Sequence, residues 1–233
     1  MTFPIQNLVA IVPAAGIGSR MGADVPKQYL LLGKQTILAH TLDCLLSHSA
    51  IKQVIVALNP QDTFFQQLTQ ASHPKLMTVI GGDERADSVL AALQQADAKA
   101  WALVHDAARP CLTHGDIDKL IAGVSLYEQG AILAAPVRDT MKRANADGTI
   151  STTVDRAHLW HALTPQLFPV VTLKQNLIEA LAAGATVTDE ASAMEWAGCQ
   201  PGLISGRADN IKVTHPDDLH LAALFLSQHV STT

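Results

Sequence analysis

Cysteine is scarce in this chain of 233 residues. Only Cys44, Cys111 and Cys199 occur, an odd number with no metal-ligand spacing. That excludes a disulfide framework and a cysteine-based zinc site, and it assigns the three thiols to small core positions in a reduced compartment. Charge is sparse too, at 16 % of residues, and sums to −5. An acidic chain exerts no long-range pull on nucleic acid, so nucleic acid is not an expected partner and any bound phosphate must meet a local basic site. No apolar run is long enough to span a bilayer. Residues 1–6 carry no basic stretch and 8–15 are too short for the core of a secretory leader, so the expectation is a cytoplasmic protein without a membrane partner. Also missing are the Walker spacing of Gly, four residues, Gly-Lys and Ser or Thr, and the Gly-x-Ser-x-Gly elbow of serine hydrolases. What is abundant is apolar: 48 % of residues, enough in a chain of this length to bury a sizeable core.

The apolar residues come in short runs, at 8–12, 54–58, 77–80, 102–105 and 131–136. Runs of that length and composition read as strands buried on both faces, as in a parallel sheet. Helix signals alternate with them. Asn59 can cap a helix that has Pro60 at its first position, and Asp83 can cap an alanine-rich helix over 84–96. Thr172 and Gln175 have capping-box spacing, with Gly184 as the stop. Thr188 precedes Asp189 and Glu190, which suit a first turn, and Gly198 follows the last. Pro216 with Asp217 and Asp218 opens a terminal helix to about Gln228. Strand–helix alternation predicts an α/β fold with a parallel sheet between helical layers, and ligands at the C-terminal ends of its strands.

Residues 137–158 break the pattern. They are polar, and Asp147-Gly148 is a hairpin turn signal with candidate strands at 140–143 and 150–154. A lone two-stranded ribbon is marginal in water, so it needs a surface to lie on; a second subunit is the economical candidate and a mobile surface hairpin the alternative. His158 and His161 are spaced as on one helical turn, but no further ligand residues cluster with them, so they are not assigned a metal.

Three loops carry the chemistry. Pro13-Ala14-Ala15-Gly16-Ile17-Gly18-Ser19-Arg20-Met21, followed by Pro26-Lys27-Gln28, comes directly after the first strand. Its small residues let a phosphate chain approach backbone N–H groups, and Arg20 and Lys27 supply fixed positive charge, which suits a triphosphate and a pyrophosphate leaving group. A dinucleotide fingerprint would need a third glycine where Met21 stands and an acid where Asn59 stands. Gly81-Gly82-Asp83, with Ser88 beyond, would admit a flat ligand such as a nucleobase; a plain strand-to-helix turn is the alternative. Asp106, in His105-Asp106-Ala107-Ala108-Arg109-Pro110, can hold Mg²⁺ or cap a helix, and Arg109 can face an anion or pair with Asp106. Asp209 and Lys212, flanking an expected short strand in 206–214, are a second carboxylate and cation for the same site.

Taken together, these segments resemble the 2-C-methyl-D-erythritol 4-phosphate cytidylyltransferases of the non-mevalonate isoprenoid pathway. The likeness rests on the first loop, Gly81-Gly82-Asp83-Glu84-Arg85, the Asp106 turn, Ala134-Ala135-Pro136-Val137-Arg138-Asp139-Thr140 and residues 206–214, in the family's order from about Val9 to Leu219. The resemblance implies a Rossmann-like three-layer αβα fold of the nucleotide-diphospho-sugar transferase type. It implies one domain over 1–233, whose protruding β-arm, 137–158, embraces the partner of a homodimer. CTP would be held by Ala14, Ala15, Gly16, Gly82, Asp83 and Ser88, and the reacting triphosphate stabilised by Arg20 and Lys27. Mg²⁺ would be bound by Asp106 and Asp209. The sugar-alcohol phosphate would meet Asp106, Arg109, Thr188 and Lys212, with Thr140 and Arg156 reaching in from the other subunit. The rivals are a transferase for another nucleotide or acceptor, such as a pentitol phosphate, and a nucleotide-binding regulator that has lost the chemistry.

Overall fold

The first apolar run becomes β1 (Leu8–Ala14), and its side chains alternate between two hydrophobic cores. Leu8, Ala10 and Val12 face one core, and Val9 and Ile11 face the other, the two-residue period of a strand covered on both sides. The computed structural model describes residues 5, 7–16 and 25–230. On the first side lie α1 (Ile37–Ser47) and α3 (His114–Gly123), through Leu38, Leu42, Ile117 and Leu120. On the second lie α2 (Arg85–Leu93), α4 (Val170–Ala182) and α5 (Glu190–Trp196), through Val89, Leu93, Leu173, Leu177 and Met194. The result is helix, sheet, helix, as expected.

The sheet adds β4 (Ile51–Leu58), β5 (Leu76–Ile80), β6 (Trp101–Val104), β7 (Ala131–Pro136), β10 (Trp160–Pro169) and β11 (Gly202–Ser205) in the order β11-β7-β10-β6-β1-β4-β5. Every pairing is parallel except those of β10, which runs antiparallel to both β6 and β7. A two-residue hairpin, β2 (Leu31–Leu32) with β3 (Gln35–Thr36), leads into α1. A separate ribbon, β8 (Met141–Ala144) with β9 (Ile150–Val154), is exposed along nearly its whole length and turns at Gly148, whose φ of +84° favours glycine. Val137 N–H donates to the Leu159 carbonyl at its base. The last helix, α6 (Pro216–Val230), covers a small third core with Leu32, Ile37, Cys111 and Val213.

Several local expectations are corrected. No α-helix starts at Pro60. Asn59 and Asp62 accept from the N–H groups of Gln61, Phe64 and Phe65, and that local bonding gives short 3-10 turns at Phe65–Gln67 and Thr69–Ser72 instead. Glu84, not Asp83, caps α2, because only Glu84 has an acid three residues on to complete a capping box, Asp87. The helix ends at Leu93 rather than Ala96. α4 begins at Val170, straight out of β10, so Thr172 lies inside it and Gln175 bonds Glu179 one turn on. Asp189, not Thr188, caps α5. The run at 77–80 is an edge strand with Met77 and Ile80 exposed, since an apolar run does not by itself distinguish edge from centre. His158 and His161 share no helix: the first has φ +65° in a turn and the second lies in β10. Gly184 and Gly198 do sit past helix ends at positive φ.

Candidate active site

The cleft opens where β1, β5 and β6 end, the edge that the parallel topology reserves for ligands. Its first wall is built from backbone. Gln28 is buried in a 3-10 turn, Lys27–Tyr29, and its amide donates to the carbonyls of Ala14 at 2.8 Å and Gly16 at 3.2 Å. The Asn59 amide donates to Ala15 O at 3.3 Å. The chain after β1 is thereby held open by side chains from two other segments. Gly81 closes on it so tightly that an added Cβ would stand 2.6 Å from Ala15 Cβ and 2.7 Å from Ser88 Oγ. Ser88, 2 % exposed, points its hydroxyl at the Gly82 carbonyl.

All six residues expected to hold the nucleotide, Ala14, Ala15, Gly16, Gly82, Asp83 and Ser88, line this one cleft of about 280 Å³. Lys27, Asp106 and Lys212 line it with them, and Lys27 Nζ donates to Val213 O at 3.3 Å. Arg20 lies outside the described residues.

The second wall is built from charge. Asp106 follows β6 and sits at the centre of three cations. Its Oδ1 accepts from Arg85 Nε at 3.0 Å, its Oδ2 lies 2.9 Å from Lys212 Nζ, and Arg109 Nε stands 3.6 Å from Oδ2, an ion pair beyond hydrogen-bond length. Burial would raise the Asp106 pKa, but Arg85 first, then Lys212 and Arg109, overcome it and hold the carboxyl well below the usual carboxylate range. Burial would lower the Arg85 pKa, yet Glu190 foremost and Asp106 next raise it above the ordinary arginine value. Arg109 is pulled down by burial, and its buried Nε makes no hydrogen bond.

Asp106, Arg109, Thr188 and Lys212, the four residues expected on the acceptor, line a second pocket beside the first, with Arg85, Asp106 and Lys212 common to both.

A buried relay fixes this wall. The Arg109 carbonyl can only accept, so His105 Nε2, 3.0 Å away, carries the proton. His105 Nδ1 then accepts from the Thr164 hydroxyl at 3.1 Å, and Thr164 Oγ1 accepts the Asp106 N–H at 3.1 Å. His105 is fully buried, and burial lowers its pKa to about 4, so it stays neutral at physiological pH. Asn210 joins from the other side, donating to Thr164 O at 2.8 Å and accepting Arg109 Nη1 at 2.7 Å. No strand forms in 206–214, contrary to expectation. The segment is an irregular loop held by its side chains and by Val213 N–H on the Ala108 carbonyl at 2.8 Å, which is what delivers Lys212 to Asp106.

The remaining expected residues are not brought to the cleft. Asp209 lines neither pocket and pairs with Arg207, which also faces Asp116. Thr140 and Arg156 are exposed at the arm, where Arg156 donates to the Arg138 carbonyl. Magnesium is commonly held by one or two carboxylates together with substrate phosphates. The donor set fits that chemistry at Asp106, an ionised oxygen ligand on the wall that both pockets share.

Sequence reading passed over the roles of Gln28, Glu190, Thr164, Gln166 and Asn210. Gln166, 1 % exposed, donates to Asp189 Oδ2 at 2.8 Å and accepts the Ala191 N–H at 2.9 Å, so it bolts the Thr188 loop to β10. The available signal was polar residues set among apolar runs.

The family model for 2-C-methyl-D-erythritol 4-phosphate cytidylyltransferase matches residues 8–228. The chain is similar to the 2-C-methyl-D-erythritol 4-phosphate cytidylyltransferase of Shewanella halifaxensis, at 72 % identity over 97 % of this chain and 98 % of that one. Among solved structures it is similar to the Francisella tularensis enzyme of the same name, with a TM-score of 0.83 at 34 % identity, covering 94 % of this chain and 99 % of that one. A 4-diphosphocytidyl-2C-methyl-D-erythritol synthase crystal structure aligns with a TM-score of 0.82 at 38 % identity, over 95 % and 99 % of the two chains.

Proposed function

The chain belongs to the 2-C-methyl-D-erythritol 4-phosphate cytidylyltransferase family, and we propose how its two pockets divide the family's reaction. The protein transfers CMP from CTP to 2-C-methyl-D-erythritol 4-phosphate, giving 4-diphosphocytidyl-2-C-methyl-D-erythritol and pyrophosphate in isoprenoid precursor synthesis. The backbone-built wall takes the nucleotide, through Ala14, Ala15, Gly16, Gly82, Asp83 and Ser88. Lys27 and Arg20 meet the triphosphate. The charge-built wall takes the acceptor, through Asp106, Arg109, Thr188 and Lys212. Thr140 and Arg156 complete the acceptor site of a partner subunit in a homodimer joined through the arm, and the dimer works in the cytoplasm.

In the step itself, an oxygen of the acceptor phosphate attacks the α-phosphorus in line. The bond from that phosphorus to the oxygen bridging it to the β-phosphorus breaks, and pyrophosphate leaves with the electron pair. A phosphate monoester is already an anion at neutral pH, so no proton has to be removed. Asp106, strongly acidic and surrounded by cations, is correspondingly a poor base. What the residues must do is align two polyanions and offset their repulsion. Lys27 does so at the triphosphate and Lys212 and Arg109 at the acceptor. Asp106 and Asp209 would be the carboxylates to hold Mg²⁺, which would supply charge to offset the repulsion between the phosphate groups.

The observation that carries this assignment is Asp106, placed with Arg85 and Lys212 on the wall common to both pockets. Incubation with CTP, 2-C-methyl-D-erythritol 4-phosphate and Mg²⁺ should release pyrophosphate and the cytidine diphosphate product, with ATP, GTP and UTP poor replacements. An Asp106→Asn variant that turned over normally would refute the assignment, and sedimentation as a monomer under assay conditions would refute the dimer.

A further inference from the structure

Glu190 is the one acid of the charge-built wall that lines neither pocket, and it is 1 % exposed at the first position of α5. Both its oxygens are taken by Arg85: Oε1 by Nη1 at 2.6 Å and Oε2 by Nη2 at 3.1 Å. The guanidinium is planar and rigid, so fixing its two Nη atoms fixes the direction of Nε. That direction is Asp106 Oδ1, at 3.0 Å. Arg85 opens α2, at the helix end whose dipole is positive and disfavours a cation. Its place there is therefore maintained from outside the helix, by carboxylates 105 and 21 residues away in sequence. A buried ion pair adds little stability over an apolar pair of the same shape, so stabilisation is a weak reason for this one.

We propose that Glu190 is a positioning residue for the transfer reaction. It anchors Arg85 so that Arg85 holds Asp106 between the nucleotide and acceptor pockets, rather than folding onto the triphosphate. Without the anchor, Arg85 has a stronger partner in the incoming polyanion, and Asp106 loses the contact that fixes Oδ1. The defect then falls on acceptor capture and alignment, more than on CTP binding, which the backbone wall provides. The inference rests on the assignment of the two pockets given above.

Glu190→Gln, Arg85→Gln and the double variant are compared at saturating CTP, with melting temperature and circular dichroism recorded for each. Glu190→Gln is expected to lower kcat/KM for the acceptor at least tenfold, with KM for CTP changed less than threefold. Because Glu190 acts through Arg85, the double variant is expected to be no worse than Arg85→Gln alone. A purely structural Glu190 predicts lower melting temperatures with normal kcat/KM in the folded fraction. Normal kcat/KM in Glu190→Gln, or losses that multiply in the double variant, overturns the proposal. Should Glu190→Gln not fold, the double variant, which buries no unpaired charge, decides: kcat/KM within threefold of the unmutated enzyme overturns the proposal, and a loss matching Arg85→Gln sustains it. Failure of the unmutated protein to release pyrophosphate would refute the pocket assignment instead, so the two failures are distinguishable.

Discussion

The two walls of the cleft reach the same end by opposite means. The nucleotide wall is made of small residues and main chain: Ala14, Ala15, Gly16 and Gly82, with Gly81 packed against Ala15 and Ser88. The acceptor wall is made of acids and arginines, Asp106, Arg109 and Glu190 buried and Arg85 half-buried, each held by another. A wall of main chain is rigid without charge, because each of its carbonyls can be tied back by an amide such as Gln28 or Asn59. A wall of charge is rigid only while every member stays ionised and paired, since an orphaned buried charge is costly. The contrast predicts that the nucleotide wall depends on its few added cations for rate, and the acceptor wall on its network for both rate and stability.

The largest effect expected is at Lys27, a cation that lines the cleft and that we propose meets the triphosphate. Lys27→Ala should reduce turnover by about 10²–10³, the usual loss when a charge acting mainly in the transition state is removed. The side chain is half-buried at the cleft, so the circular dichroism melt should stay close to that of the unmutated protein. Pyrophosphate release at saturating CTP and acceptor measures it. Near-normal turnover would mean that main chain alone suffices, and the contrast between the walls would lose its basis.

The walls also differ in how far they could be read from sequence. The first loop was legible because its chemistry is contiguous: small residues followed at a fixed offset by the cation Lys27. The strands at 8–12, 54–58, 102–105 and 131–136 were legible from composition. β10 was not, because Thr164, Pro165, Gln166 and Pro169 interrupt its apolar residues, and its pairing with β7 shifts register between Ala162 and Gln166. Glu190 was visible only as a first-turn acid, a reading that the helix dipole explains without any partner. Its pairing with Arg85 spans 105 residues and exists only after folding. Asp83 and Glu84 were both legible as acids at a helix start, but taking Asp83 as the cap leaves out the pairing of Glu84 with Asp87. α1 and α3 went unread despite Thr36 as a cap and Thr113 with Asp116 as a capping box.

Acid sharpens the comparison from the stability side. His105 is neutral when folded, with a pKa of about 4 against 6.5 when exposed. Between those values the unfolded chain binds the extra proton, so stability is fully present above pH 6.5 and is lost progressively as pH falls toward 4. The displacement corresponds to a loss on the order of 3 kcal/mol. Asp106 acts in a separate window: its folded pKa is depressed, so its contribution holds above the ordinary aspartate range and is lost only at still lower pH. Urea midpoints measured from pH 7.5 to 4 should therefore fall more steeply for the unmutated protein than for His105→Gln, which starts less stable at neutral pH. Equal slopes for the two proteins would remove His105 from the acid response.

The smallest effect is expected at Arg156 on the exposed arm, which lines neither wall. A charge-assisted contact from a solvent-facing arginine to a phosphate sits at the low end of about 1.5–3 kcal/mol, or roughly tenfold in binding. Arg156→Ala should raise KM for the acceptor by that order and leave KM for CTP unchanged, because Arg156 does not line the nucleotide cleft. Supply from the partner subunit makes a sharper demand. In a heterodimer of Arg156→Ala with Lys27→Ala, one of the two sites has its own Lys27 and receives an intact Arg156 from the other chain. The purified heterodimer, formed by subunit exchange between the two variants, should then show up to about half of the normal activity. Purified heterodimers no more active than the parent variants would show that each subunit completes its own acceptor site, and the arm would be a dimer contact without a role in substrate capture.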